Sequence, residues 1–351
     1  MLKIAIVGLG RVFFCYEDFF KKNESKKYKV VLVCDLDKEK AIKASKSLSC
    51  EMTANIDEVL TREDIDLVII LTESGNHYLH SKKALLSKKH VIVEKPVSFL
   101  PKEVLELEEI ASSKKLLYSV VHQNRFNPSM VALKNAMQSG RFKKLILSSI
   151  RLKWCRFQEY YEDGWHGTWK MDGGVISQQA IHHIDALQWI CGPIKRLVSK
   201  QSNAMNNLEA EDTSIVLLEF QNGSLGTIEA TTASRIGDIE ASISVLGEGG
   251  YAEIGGIALN KVLKWEFKEN VNQDKKIVEK ASEEVSSGYG NSHPRILNEI
   301  LDNLYNGLSH TPVSGTEALE AVKIVQAIYA SEEKKNWVEL EENPISSKLG
   351  N

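Results

Sequence analysis

The sequence predicts a two-part α/β protein, a doubly wound parallel-sheet domain followed by an α+β domain with an open antiparallel sheet. Two patterns and the length carry this. The first third alternates short β-branched runs, "KIAIVG", "KVVLVCD", "DLVIILT", "HVIVEK" and "LLYSVV", with charge-studded stretches such as "SGNHYLHSKKALLSKK". Continuously apolar strands are buried on both faces, and helices joining them make βαβ units. After "NPSMVALKNAMQSG", read as a connecting helix, longer strands follow one another: "KKLILSSIRLKW", "TSIVLLEF", "SLGTIEATTAS" and "EASISVLGE". With Asn222-Gly223 as a hairpin turn, this succession indicates antiparallel pairing. A chain of 351 residues also exceeds the roughly 250 to 300 that one core accommodates. The expected domains are 1–122 and 123–351, with late helices near 292–306 and 316–332 that can pack back near the junction.

Composition excludes several classes. Lys+Arg 44 against Asp+Glu 47 gives a net charge of −3, which offers nucleic acid no electrostatic footing. Hydrophobic residues at 43% and charged ones at 26% describe a globular protein. No apolar run approaches the roughly 20 residues of a membrane span, so no membrane partner is expected. Five cysteines, Cys15, Cys34, Cys50, Cys155 and Cys191, form no C-x-x-C pair. They indicate neither a disulfide framework nor zinc, and suit a cytoplasmic protein.

The first strand runs into "IVGLGRVFFCYEDFF". In a dinucleotide-binding turn the first glycine permits the bend, the second admits the pyrophosphate, and the third sets how closely helix packs on strand. Gly8 and Gly10 fill the first two places and Phe13 the third, so helix packing is altered while phosphate binding is expected to survive. The second strand ends at Asp35, about 25 residues beyond Gly10, where a carboxylate accepts from ribose hydroxyls and repels a 2′-phosphate. NAD is therefore favoured over NADP. The alternative is that Asp35 only starts the next loop.

A later strand ends in Glu94-Lys95-Pro96. Proline holds Lys95 extended and admits a cis bond, placing a cation at the carboxyl end of the sheet, where ligands of such folds bind. Alone, a lysine before proline is as well read as a surface residue. Further on stands "GTWKMDGGVISQQAIHHIDALQWICG". A helix from about Ser177 would set Gln178, His182 and Asp185 on one face and Gln179 and His183 beside them. Histidine with a carboxylate one turn away is a usable acid/base unit, although a structural histidine is the plainer reading. Adjacent histidines diverge and no H-x-x-x-H exists, so no metal is expected. Strand alternation sends Arg151 and Lys153 to one face and Trp154 and Arg156 to the other. Such cations either bind an anionic substrate or line a solvated or oligomeric face.

Together, Gly8-x-Gly10, Asp35, "TESGNH" (72–77), Glu94-Lys95-Pro96, "HQNRFNP" (122–128), "DGGVISQQAIHHID" and "TPVSGTEALEAVKIVQAIYAS" resemble the Gfo/Idh/MocA family over nearly the whole chain. The resemblance implies a Rossmann domain holding NAD, and a second-domain sheet that covers the nicotinamide and assembles a homodimer or homotetramer. It implies cofactor contacts at Gly8, Gly10, Arg11, Val12 and Asp35, at Thr72, Asn76 and His77, at Glu94 and Lys95, and at Asn124 and Trp165. Lys95 matches the family's EKP lysine and His182 the histidine of its D-x-x-x-H pattern; both are the expected catalytic residues. Arg156, Gln178, Gln179 and His183, with those two, are expected around the substrate. Gln178 departs from many members, in which an aspartate is common there. Sugar-nucleotide members, the UDP-N-acetylglucosaminuronate 3-dehydrogenases, look similar in this amide and in "RLKWCRFQEYYEDGWHGTW". The implied function is reversible oxidation of a sugar ring carbinol, at C3 of a nucleotide-linked hexuronic acid. The family also contains NAD-retaining glycosidases and non-catalytic ligand-sensing regulators; Lys95 and His182 argue against the latter.

Overall fold

The computed structural model describes residues 1–235, 237–269, 274–308 and 310–351. The chain divides into two compact units, Met1–His122 with His293–Leu319, and Gln123–Ser292 with Glu320–Asn351.

In the first unit β1 (Leu2–Val7), β2 (Tyr28–Cys34), β3 (Glu51–Thr53), β4 (Leu67–Ile70), β5 (His90–Glu94) and β6 (Tyr118–Val121) form one parallel sheet, ordered β3-β2-β1-β4-β5-β6. Ile4, Ile6, Leu67, Ile69 and Ile92 are fully buried, which is why these runs are apolar without alternation. The strands are joined through α1 (Phe13–Lys22), α2 (Lys38–Leu48), α3 (Ile56–Thr61), α4 (His77–Leu86) and α5 (Pro101–Lys114). Local chemistry starts two of them: the Asp37 side chain accepts from the N–H groups of Glu39 and Lys40 at α2, and Pro101 opens α5. Because β1 lies between β2 and β4, strand order reverses beside it, and the loop after β1 occupies the position where doubly wound sheets bind ligands. The late helix His293–Tyr305 belongs to this unit and buries Ile296, Leu297, Ile300 and Leu301, one helical face.

In the second unit α6 (Pro128–Gln138) precedes β7 (Leu145–Lys153), β8 (Ile194–Ser202), β9 (Thr213–Phe220), β10 (Leu225–Thr231), β11 (Glu240–Gly247), β12 (Gly250–Gly255), β13 (Lys261–Phe267) and β14 (Val338–Glu339). These form an eight-stranded sheet, ordered β13-β12-β11-β7-β10-β9-β8-β14. The expectation of a wholly antiparallel sheet is corrected at one pair, since β7 and β10 run parallel. Between them the chain crosses over through α7 (Val175–Gln178) and α8 (Ile181–Cys191), and a parallel neighbour needs such a crossover. The predicted hairpin is present, with Gly223 at φ +82° and the Phe220 N–H donating to the Ser224 carbonyl at 2.9 Å. Val216, Leu218 and Phe220 are buried, whereas Leu147, Ile215, Leu217, Leu225 and Leu246 make one exposed apolar face. Among the described residues no helix is long and apolar enough to cross a membrane.

Candidate functional site

The glycine turn explains its own sequence. At Gly8, φ +91°, a Cβ would stand 2.6 Å from Leu71 C and Thr72 N, so packing against the loop after β4 requires glycine. At Gly10 nothing lies within 4 Å of the place a Cβ would take, so internal packing leaves that residue free. Arg11 and Val12 lead into α1, which no side chain caps, and Phe13 is buried at its first turn. Asp35 closes the arrangement from β2. Its Oδ2 accepts the Leu9 N–H at 2.7 Å and its Oδ1 the Asp37 N–H at 2.8 Å. It thus does start the following loop, and it also fixes the glycine turn; each carboxylate oxygen retains a second lone pair.

Beyond β4, the Thr72 hydroxyl meets His80 Nδ1 at 3.0 Å and the Asn76 amide donates to Glu73 at 3.0 Å. The His77 ring is buried with Nδ1 2.7 Å from the Pro96 carbonyl and Nε2 2.9 Å from that of Thr72. Burial pushes its pKa below the ordinary value, against the pull of those two carbonyls. The ring ties the loops after β4 and β5 together. Glu94 is held within the same unit. Its buried Oε1 accepts from the Tyr16 hydroxyl at 2.8 Å and lies 3.5 Å from His293 Nε2, and its Oε2 accepts the Lys95 N–H at 3.2 Å. Burial opposes both charges, yet hydrogen bonding to Cys15 and Glu94 pushes His293 up to about 9. For Glu94, burial is outweighed by the bond to and charge of His293, which hold it below the usual carboxylate range. Lys95, half-buried, follows this pair and is joined to Pro96 by a cis bond.

In the second unit Asn124 is buried in the 3-10 turn Gln123–Phe126. The single helix expected from Ser177 is corrected to two pieces, α7 and α8. The Ala180 N–H donates to the Val175 carbonyl at 2.7 Å, a five-residue step that inserts a π-like bulge and resets the face between Gln178 and His182. His182 to Asp185 remains within one turn of α8, and Asp185 is ion-paired with Arg125. His183 is wholly buried with its ring edge-on to Trp154, and His182 keeps 8% exposure. Gln179 Oε1 is buried with no hydrogen-bonding partner among the described residues.

The start of α7 rests on a carboxylate that the sequence did not reveal. Glu211 Oε1 accepts the Ile176 N–H at 2.9 Å and the Tyr329 hydroxyl at 3.0 Å, and burial pushes Glu211 up to about 7. Of the cations near β7, Arg151 pairs with Glu253 at 2.7 Å and Glu240 at 3.1 Å, and Lys153 with Glu240, as a solvated strand face does. Arg156 pairs with Asp238 at 2.9 Å and lies over the rings of Trp154 and Tyr160. The Trp165 and His166 rings lie tilted by 31° with their centroids 3.6 Å apart. Among the described residues no group of three or more His, Cys, Asp or Glu side chains could hold a metal.

A glycine turn at the switch point of a parallel sheet, with a carboxylate directly after the next strand, is the arrangement of a dinucleotide-binding domain. Residues 2–122 match the oxidoreductase family's NAD-binding Rossmann fold and residues 134–340 its C-terminal alpha/beta domain. The chain belongs to the Gfo/Idh/MocA family of oxidoreductases, and its first domain is the family's NAD-binding domain. Among solved structures, the WlbA dehydrogenase of Chromobacterium violaceum, in complex with NADH and UDP-GlcNAcA, is 31% identical. The match covers 96% of this chain and 95% of that one with a TM-score of 0.90. The Bordetella pertussis WlbA dehydrogenase, in complex with the same pair, is 26% identical over 96% and 97% with a TM-score of 0.90. The scyllo-inositol 2-dehydrogenase (NAD(+)) of Bacillus subtilis is 27% identical over 72% of this chain and 74% of its own.

Proposed function

We propose that the chain is an NAD-dependent dehydrogenase acting on a ring carbinol, C3, of a nucleotide-linked hexuronic acid. The observation that carries this is the 31% identity, over 96% of the chain, to a dehydrogenase crystallised with NADH and UDP-GlcNAcA. The residues fit the cofactor: Gly8 must be glycine for packing, Gly10 leaves open space at the loop backbone, and Asp35 retains acceptor capacity. When bound, NAD supplies the acceptor for the hydride leaving the carbinol carbon.

The chain's task is then the hydroxyl proton. Lys95 and His182 are the groups proposed to take and hold it, one as base and one as electrostatic stabiliser. Gln178 is neutral, so no carboxylate at that position shares the proton. Gln179 offers a buried acceptor with no donor among the described residues, as a site for a polyhydroxylated ligand would. Thr72, Asn76, Asn124 and Trp165 are proposed to line the cofactor, and Arg156 the substrate. The enzyme is proposed to be a cytoplasmic homodimer or homotetramer built through the exposed sheet face; its five cysteines are free thiols.

Incubation with NAD and UDP-GlcNAcA, followed at the NADH absorbance, tests this reading. Net NADH formation is the expected result. Release of free sugar without net NADH would instead identify a glycosidase, and no reaction with UDP-GlcNAcA would remove the substrate assignment.

A further inference from the structure

The amide at position 178 is held by a partner that local sequence reading does not single out. Gln178 Nε2 donates to Asp172 Oδ1 at 2.5 Å, and Asp172 Oδ2 accepts the Gly167 N–H at 2.8 Å. Both side chains are buried, Asp172 to 1% exposure and Gln178 to 7%. A carboxylate with an N–H donor on each oxygen accepts from both, so only the NH2 end of the amide can face it. The carbonyl Oε1 is therefore turned to the other side of the group. A glutamine without such a partner can reverse and offer either end.

We propose that Asp172 is a positioning residue that fixes Gln178 as a hydrogen-bond acceptor toward the substrate, so that this position takes a hydrogen bond from a sugar hydroxyl. The acceptor polarity of a carboxylate is kept while the charge sits behind the amide, on Asp172. The neighbouring Gln179 points the same way chemically, since its Oε1 is also a buried acceptor with no donor among the described residues. Two acceptors side by side in sequence suit a ligand rich in hydroxyl donors. The inference rests on the sugar-dehydrogenase reading for the identity of that ligand, but not for the orientation of the amide.

The isosteric change Asp172→Asn reverses the polarity. The Gly167 N–H selects the oxygen of Asn at 172, which turns its NH2 toward Gln178 and forces that amide to flip. With UDP-GlcNAcA as substrate, kcat/KM should fall about 10- to 100-fold, the cost of one buried donor facing a donor, while NAD affinity stays unchanged. Combining Asp172→Asn with Gln178→Glu restores an acceptor in the original direction. The double variant should recover to within about fivefold of wild type and gain an acidic limb in its pH profile from the new carboxylate. Full activity in Asp172→Asn, or a double variant no better than the single, overturns the proposal. If Asp172→Asn fails to fold, Gln178→Glu alone sets two carboxylates against each other. They must share a proton, so kcat/KM must fall more steeply with rising pH than in wild type; identical profiles overturn the proposal.

A substrate-free arm separates this from the functional reading. In 15N-glutamine-labelled protein the side-chain amide signals of Gln178 are assigned by their loss in Gln178→Glu. Failure of wild type to oxidise UDP-GlcNAcA sinks the substrate assignment alone, whereas unchanged amide shifts in Asp172→Asn sink the orientation.

Discussion

Arg125 grips Asp185 with both arms of its guanidinium, Nε to Oδ2 at 2.8 Å and Nη2 to Oδ1 at 2.6 Å, and both side chains are at least 95% buried. The pair ties the turn that follows β6 to the helix bearing His182. Arg125→Ala leaves a carboxylate uncompensated in the interior and should destabilise by about 3–5 kcal/mol. Urea unfolding of the full chain measures it. A loss below about 1 kcal/mol would assign the pair the weight of a surface bridge.

If Lys95 and His182 both act on the hydroxyl proton, Lys95→Met and His182→Ala should each slow NADH formation by on the order of 10² or more, His182→Ala without changing NAD affinity. His183→Ala should cost the chemistry less, since that ring is buried against Trp154. Pre-steady-state rates are needed because product release can mask a chemical defect. A larger loss at His183 than at His182 would mean that the wrong histidine carries the role.

Asp35 should make NAD bind more tightly than NADP. Asp35→Ala removes both the ribose acceptor and the repulsion of a 2′-phosphate, and it frees the Leu9 N–H, so NAD should weaken and the preference relax. Parallel titrations with the two cofactors decide it; an unaltered ratio in the variant would exclude Asp35 as its source.

His293 links stability to pH. Its folded pKa, about 9, lies above the ordinary 6.5 of the unfolded chain. The contribution is therefore complete below about pH 6.5 and is lost as pH rises toward 9, on the order of a few kcal/mol. Denaturation midpoints at pH 6 and pH 9 should differ accordingly, and His293→Gln should flatten that slope.

The apolar sheet face of Leu147, Ile215, Leu217 and Leu225 should be covered by another copy of the chain. Ile215→Lys with Leu217→Glu should convert the oligomer to monomer in light scattering. A wild-type monomer at micromolar concentration would contradict the assembly.

Much of this was legible because it is local. The strands of the first unit announce themselves by apolar runs, and Gly8, Asp35 and Lys95 each directly follow a strand, at the carboxyl end of the sheet. What was hidden depends on distance along the chain. The pairing of Glu94 with His293, 199 residues on, leaves no local signature. Glu211 looks like any loop acid until Gly174, where a Cβ would stand 2.1 Å from the Glu211 carbonyl oxygen, brings α7 onto it. The break between α7 and α8 has no proline or glycine to mark it. The parallel pairing of β7 with β10 followed from a crossover whose two ends look like ordinary strands. Asp172 had a faint signal, an acid directly before Gly173-Gly174, in a stretch that already held the histidines.

The first unit is not contiguous, and that bears on how it is made. A ribosome that has finished residue 122 has synthesised all six strands of the nucleotide domain, yet the helix that brings His293 against Glu94 follows only after the whole of Gln123–Ser292. Until then a carboxylate destined for the interior has the Tyr16 hydroxyl but not the His293 imidazole. The nascent domain therefore matures late, after the intervening unit has emerged, and a fragment ending at 122 should remain expanded and protease-sensitive. Supplying the segment 293–319 in trans should compact it, which would make that helix the final piece of a domain whose sheet is synthesised first.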